Sequence, residues 1–480
     1  MAAEALALHR LEQAIARELE LFAYPNKVWP RVTRSAGGEP ILDVVIVGAG
    51  QAGTSLAVGL FREHITNILM VDRCPPGGEG PWNTWARMIT LRTIKELTGP
   101  DGRIAAASFR SWYEARKGEA AWRELVRIPK GEWMDYLLWV RAVLKLPVES
   151  ETEVTSIAME GEHLRVALKG PQGSRSVLAR KVVLATGVDG SGGPRRPAFT
   201  DGVPRSLWAH SADAIDFTAL AGKRVAVLGA GASAFDNSAT ALEAGAASVV
   251  HFLRRPELPQ VNALRFLETS GFFRNFGSLD DDIRLRFMRH YLSLPTPPPA
   301  DTLERCRAHG NFVLCCGEGW TGMTPTENGT VRIATPRRSV EADFAILGTG
   351  FRIDLARLPF LAPLMPHLTL WGDRVALDEG DDVDQRLGKY PYLGPAMEAV
   401  GRTPEADRAL RNLHLFNISG VPSVGLISSG INGLPWGVDA IALAISRDLF
   451  KADADSFYRE FIGYAEPDAN EAYVKQRIAQ

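Results

Sequence analysis

Small residues in two widely separated clusters could bind phosphate. Asp43 to Val47 form an apolar, β-branched run that stops at Gly48, Gly50 and Gly53, spaced as G-x-G-x-x-G. The run RVAVLGAGASA repeats the pattern, with Gly229, Gly231 and Ala234 in the matching places. In such a unit one glycine turns tightly, one lets backbone approach a diphosphate, and one lets helix pack on strand. The free amides at the helix N-terminus then meet the phosphate charge. The second strands of the two units end differently: ILMVDR closes on Asp72, whereas VVHFLRR closes on Arg254 and Arg255. A carboxylate there accepts the adenosine-ribose hydroxyls and repels a 2′-phosphate; a guanidinium grips that phosphate through a planar fork. The pattern predicts FAD on the first unit and NADPH on the second, where Ser233 opens the helix.

These residues need strands and helices to hold them. Residues 3–22 place Leu8, Leu11, Ile15, Leu19 and Phe22 at helical spacing, which predicts an amphipathic helix packing on the body, with a dimerisation helix as the rival reading. A turn-rich stretch, Tyr24 to Pro40, leads into the first unit. After Asp72 comes a loop dense in glycine, proline, tryptophan and arginine, suited to lining a site. Helical patterns follow at Ser111–Arg116 and Gly131–Leu144. The period then changes to two, predicting a β-meander over 154–157, 164–168 and 176–178 that ends in KVVLATG and delivers Gly187. GVDGSGGPRRP (187–197) reads as a linker, and LSLPTPPPADT as a surface excursion. ADFAILGTGF (342–351), with Gly350, echoes the earlier strand-to-glycine ending and marks a return to the first domain.

The expected fold is therefore α/β, with two Rossmann-like dinucleotide-binding domains and the NADPH domain inserted into a discontinuous FAD domain. The expected boundaries are 1–40 for the helix and lead-in, 41–190 and 341–480 for the two parts of the FAD domain, and 191–340 for the NADPH domain.

At 480 residues the chain has room for such domains, and a net charge of −2 gives no electrostatic case for nucleic acid or an anionic membrane. No apolar run reaches membrane-span length, and the acid-containing N-terminus is unlike a signal or transit peptide. Cys74, Cys306, Cys315 and Cys316 form no C-x-x-C, and no metal spacing occurs. The expectation is a cytoplasmic protein with reduced thiols, no metal, and a homo-oligomer left open.

This order of parts resembles the class B flavoprotein monooxygenases: flavin-containing monooxygenases, Baeyer–Villiger monooxygenases and amino-acid N-hydroxylases. The matching motifs are GAGQAG (48–53), Gly77, Gly78 and Trp82, LATG (184–187), His210 with Ser211, GKRVAVLGAGASAFD (222–236) and LGTGF (347–351). Residues 41–450 are covered. The family's G-x-x-x-H element is altered, because Phe199 and Gly202 stand farther upstream and Ala214 replaces the usual aromatic. This leaves His210 between a domain-coupling and a structural role. GAGQAG is of the flavin-containing and Baeyer–Villiger type, and TLRTIKEL (90–97) puts Arg92 where flavin-containing monooxygenases place an asparagine beside the flavin.

The resemblance implies that NADPH reduces FAD, and that O₂ forms a C4a-(hydro)peroxyflavin which transfers one oxygen atom to a small molecule. A soft nitrogen or sulfur nucleophile needs mainly positioning. A ketone needs a deprotonated peroxide, which Arg87 or Arg92 could stabilise. Either arginine could equally bind a substrate carboxylate or lie in a solvated loop. N- or S-oxygenation leads, with Baeyer–Villiger oxidation as the alternative. A disulfide-type or flavin reductase lacks its cysteine pair, and a non-catalytic flavin-binding protein is the remaining class. Trp82, Trp85, Met88, the 255–300 stretch and Leu434–Trp436 are the expected pocket walls.

Overall fold

A computed structural model describes residues 2–97, 99–428 and 430–465. Two sheets carry the architecture. The first runs, in order, Val148–Glu149, Ile68–Val71, Pro40–Val47, Gly173–Leu184, His163–Gly170 and Glu153–Glu160. Leu413–His414 pairs alongside Gly173–Leu184 in the same sheet. Its nucleotide half is parallel, and its far edge is the antiparallel meander expected from the period-two pattern. The third meander strand and KVVL form one strand, polar where it is exposed and mostly apolar where it is buried, with buried Arg180 and Lys181 paired to Asp453 and Asp448.

The second sheet is fully parallel: Phe312–Cys316, Ser248–Leu253, Arg224–Leu228, Phe344–Leu347 and Trp208–His210. All its strands fall between Gly173–Leu184 and Leu413–His414 of the first sheet, so the second domain is an insertion. The strand Phe344–Leu347 still belongs to this second sheet. The chain crosses back just after it, where Pro194 bridges Phe351 and the Arg352 amide donates to the Gly193 carbonyl at 2.9 Å. The outgoing and returning linkers thus run side by side. Gly192 is required there: its φ is +143°, and a Cβ would meet the Arg352 carbonyl oxygen at 2.6 Å.

The N-terminal helix Ala2–Leu21 buries Ile15 completely and packs Leu8 and Leu11 on the body, while Leu19 and Phe22 face solvent. The apolar stripe outlasts the surface it covers. An aromatic cluster built on Phe109, Trp112, Trp133 and Tyr136 joins the helices Phe109–Glu124 and Lys130–Val143 beside the first nucleotide unit. The stretch before LSLPTPPPADT packs inward. Its helices Ser270–Asn275 and Asp281–Ser293 pack Phe276, Leu285 and Met288 against Trp371, Leu387 and Tyr390. Arg284 donates to the Ser423 carbonyl at 2.8 Å, and Arg289 clasps Asp384. The charged, amphipathic helix therefore buries its apolar face against the returning part of the first domain.

Candidate active site

Both phosphate loops are built by the same bonds. The Gly48 amide donates to the Val71 carbonyl at 2.8 Å, and the Gly229 amide to the Phe252 carbonyl at 2.9 Å. Val47 pairs with Val71 in one sheet, and Leu228 with Phe252 in the other. Gly48 has φ +103° and Gly229 φ +150°, and a Cβ on either would strike a carbonyl of the neighbouring strand's end, Ala185 or Gly348, within 2.5 Å. At Gly53 a Cβ would overlap the Gly48 oxygen at 1.9 Å. Gly50 and Gly231 are different: the nearest atom to a Cβ on Gly50 is the Gly80 nitrogen at 4.0 Å, and nothing lies within 4 Å at Gly231. Each glycine therefore leaves open space at a helix N-terminus, Gln51–Arg62 or Ala232–Glu243, as a diphosphate requires. The residues fit both dinucleotides.

Asp72 is buried one residue past its strand. Its carboxylate accepts the Ala49 amide at 2.8 Å and the Cys74 amide at 2.9 Å, tying the strand end to the loop. The register of the second unit puts Leu253, not an acid, at the corresponding place, with Arg254 and Arg255 exposed just beyond. Beneath the second loop, a fully buried His251 donates from Nε2 to the Gly229 carbonyl at 2.6 Å and accepts the Ser238 hydroxyl at Nδ1, 2.8 Å away. Burial pushes its pKa down to about 4, so it is neutral. Ser233 forms the second residue of the helix.

The tryptophan–arginine loop spans the two units. Lys130 donates to the Ala86 carbonyl at 2.6 Å and Leu91 to that of Ile128 at 2.7 Å, fastening the loop on one side. On the other, Trp85 packs on Phe351, Arg87 lies 5.2 Å from the Phe217 ring centroid, and Arg92 forms an ion pair with Asp236. Asp236 is buried in the second unit's helix and also accepts the Thr302 hydroxyl at 3.0 Å; burial raises its pKa, and Arg92 opposes that rise. Arg87 donates to the Thr84 carbonyl at 2.6 Å and keeps a buried Nε without a partner. His210 is fully buried, donating from Nε2 to the Gly350 carbonyl at 3.1 Å and accepting the Ala212 amide at Nδ1; burial lowers its pKa. Gly187 has φ +62°, and its carbonyl accepts the Ser191 hydroxyl at 2.9 Å at the start of the outgoing linker. Trp82, Met88 and Ile431 pack on the aromatic cluster, while Phe273 stacks on Trp436 at 4.8 Å.

Comparison with known proteins decides the family. Over 464 residues, 96% of each chain, the sequence is 39% identical to the FAD-dependent urate hydroxylase of Xanthomonas campestris pv. campestris. The chain belongs to the class B flavoprotein monooxygenases. It is a flavin-dependent enzyme, with no helix among the described residues long and apolar enough to cross a membrane. Residues 45–189 match the FAD-NAD(P)-binding family, and residues 120–290 match the L-lysine 6-monooxygenase/L-ornithine 5-monooxygenase family.

Among solved structures the monooxygenase fold is similar to the ornithine hydroxylase of Pseudomonas aeruginosa. The TM-score is 0.67 at 18% identity, covering 85% of this chain and all of that one. The Kutzneria sp. 744 ornithine N-hydroxylase gives 0.67 at 19%, with the same coverage. A Stenotrophomonas maltophilia flavin monooxygenase gives 0.54 at 20%, covering 85% of this chain and 98% of that one. The chain thus shares its fold with ornithine N-hydroxylases, although GAGQAG reads as the flavin-containing type.

Sequence reading missed several of the residues gathered here. His251 was visible as a polar residue inside a buried strand, VVHFL. Arg141 stands eight residues after Trp133 and four after Leu137, on the buried stripe of its helix. Asp236 carried no local signal beyond its motif.

Proposed function

We propose that this enzyme is an NADPH-dependent hydroxylase of a small, planar, nitrogen-rich heteroaromatic substrate of the urate kind. The single observation that carries this reading is the full-length relation to a urate hydroxylase, which spans both nucleotide units and every candidate pocket wall. The side chains suit such a substrate. Trp436, backed by the buried ring of Phe273, is the half-buried aromatic on which a flat ring would stack. Asn262 Oδ1 and Asn432 Oδ1 are buried acceptors without partners, and Trp436 Nε1 is a buried donor without one. A ring edged with N–H and C=O groups suits Asn432 and Trp436, neighbours in the chain, where a purely apolar substrate would leave them unpaired at about 1–3 kcal/mol each.

In this reading Gly48, Gly50, Gly53 and Asp72 hold FAD, with Trp82 and Gly187 beside it. Gly229, Gly231, Ser233, Arg254 and Arg255 hold NADPH. When bound, FAD supplies electron transfer and oxygen activation: NADPH, a proton and O₂ yield one inserted oxygen atom, NADP⁺ and water. The protein's part is positioning and exclusion of water. His210, with both ring nitrogens bonded to backbone, couples the second sheet to the Gly350 crossing and moves no proton. Arg92 is neutralised by Asp236, so it positions the loop between the cofactors, a role that favours oxygenation without a stabilised peroxide anion over Baeyer–Villiger chemistry. Arg87, with a spare buried N–H, is the arginine free to contact substrate.

A second reading, hydroxylation of an amine nitrogen, is favoured by the lysine/ornithine match over residues 120–290. NADPH oxidation and substrate loss measured with urate, ornithine, lysine and a sulfide separate the two. The proposal expects urate-type rings to stimulate oxidation and to be consumed; stimulation by the amines alone would overturn it.

A further inference from the structure

Beside the first phosphate loop lies a buried guanidinium that the protein itself only half satisfies. Arg141 sits on the helix Lys130–Val143, on the stripe that buries Trp133, Leu137 and Val140, and is 7% exposed. Its Nη1 donates to Glu79 Oε1 at 2.6 Å and to the Ala49 carbonyl at 3.2 Å. Glu79 is itself buried, and its other oxygen accepts the Gly77 amide at 2.7 Å. The Nε and Nη2 atoms of Arg141 are buried and have no partner.

An arginine is always charged and carries five N–H donors, so burying it with most donors empty is unfavourable unless a ligand fills them. The place where it is held identifies that ligand. Ala49 lies between Gly48 and Gly50, its amide held by Asp72 and its carbonyl by Arg141. Gly50 next to it faces open space, bounded at 4.0 Å by Gly80, the residue after Glu79. The same helix reaches the next residue too, since Trp133 Nε1 donates to Gln51 Oε1 at 3.1 Å. The open glycine, the helix N-terminus and the unfilled guanidinium donors therefore meet at one loop.

We propose that Arg141, set in place by Glu79, is a ligand of the FAD diphosphate. The Glu79 carboxylate takes one arm of the guanidinium and fixes its plane, leaving Nε and Nη2 as a paired fork for phosphate oxygens. Because Glu79 balances its charge, the arginine contributes directed hydrogen bonds rather than a bare cation. Arg141 would hold FAD whichever substrate the enzyme oxidises.

The test dilutes purified holoenzyme and follows released FAD by its fluorescence, alongside thermal unfolding with and without added FAD. Arg141→Met should weaken FAD retention about ten- to a hundredfold, the loss of one or two charge-assisted bonds. It should also shrink the rise in Tm that added FAD gives, over and above the lower Tm that an unpaired buried Glu79 gives the flavin-depleted protein. Should the methionine variant fail to fold, Arg141→Lys keeps the charge but lacks the fork, and is expected to release FAD more readily than wild type. Glu79→Gln should give a smaller loss in the same direction. Wild-type FAD retention and an unchanged FAD-dependent Tm rise in Arg141→Met, or in Arg141→Lys if only that folds, would overturn the proposal. So would a variant that lowers the Tm of depleted protein alone.

Discussion

The two nucleotide units share a backbone and differ in almost everything around it. In both, a glycine amide closes onto the second strand at 2.8–2.9 Å, and an open glycine starts a helix. The first loop is enclosed: Asp72 is buried on two backbone amides, Arg141 and Glu79 are buried behind Ala49, and Trp133 caps Gln51. The second is open, because Arg254, Arg255 and Gly231 are exposed. It is stiffened from below instead, by neutral His251 under the Gly229 carbonyl; at the corresponding strand position the first unit has Met70. The difference teaches that one pattern serves two kinds of occupancy. Buried, prearranged partners suit a cofactor that stays, and exposed cations suit one that arrives and leaves each turnover.

The largest expected effect is at the enclosed loop. Asp72→Ala removes two backbone bonds and the ribose contacts, at about 1.5–3 kcal/mol for each bond to the charged group, so FAD retention should fall more than a hundredfold. Visible absorbance after gel filtration checks this. Gly50→Ala should fold, since space is open around it, yet lose FAD. Gly53→Ala should instead reduce the yield of folded protein, because its Cβ would overlap the Gly48 oxygen. Equal behaviour of the two glycine variants would break the distinction between cradle and packing glycines.

At the exposed loop the effect is selective. Arg254→Ala and Arg255→Ala should lower the NADPH over NADH preference roughly ten- to a hundredfold while FAD content stays normal. If both variants keep the wild-type ratio of kcat/KM values, the 2′-phosphate is read elsewhere.

Next comes pH. Burial holds His251 at about 4 and His414 at about 3, both below the ordinary 6.5. Unfolding exposes them to protonation, so their contribution is whole above pH 6.5 and is lost as pH falls towards those values. Each can contribute up to about 1.4 kcal/mol per pH unit over that window. Asp43, raised to about 6 by burial, works in the opposite direction between pH 6 and 3.8. Stability from chemical denaturation should therefore decline from pH 6.5 to 4, and His251→Gln should flatten that decline. A slope unchanged in the variant would show that His251 is not held neutral.

The smallest effect is expected at the loop between the units. Arg92→Ala leaves buried Asp236 only the more distant Arg305, 3.9 Å away, and loosens the bridge. A few-fold rise in KM for NADPH or in wasted peroxide should follow, with FAD content unchanged. Normal KM and normal coupling of NADPH to product would remove Arg92 from any positioning role.

The parts of this site legible in the sequence are those whose signal is local. A glycine spacing, a strand-end acid and a meander's alternation each occupy a few consecutive residues, so GAGQAG, Asp72 and the 154–178 strands could be read directly. What pairs over long separations could not. Arg141 meets Glu79 across 62 residues and Arg92 meets Asp236 across 144, and no spacing rule links either pair. The packing of the helix Asp281–Ser293 was hidden for a related reason: its partners lie at Trp371 and Asp384, about a hundred residues on.

The division of labour between the two loops is tested most directly by one crossed measurement. Anaerobic reduction by NADPH would be followed as bleaching of the flavin absorbance, with FAD content measured in the same samples, for Asp72→Ala and for the Arg254→Ala/Arg255→Ala double variant. The account predicts that the Asp72 variant loses its flavin, and that whatever fraction keeps it is bleached at the wild-type rate at saturating NADPH. The arginine variant should keep a full complement of flavin and be bleached slowly at low NADPH. Loss of FAD from the arginine variant, or full retention by the Asp72 variant, would contradict it.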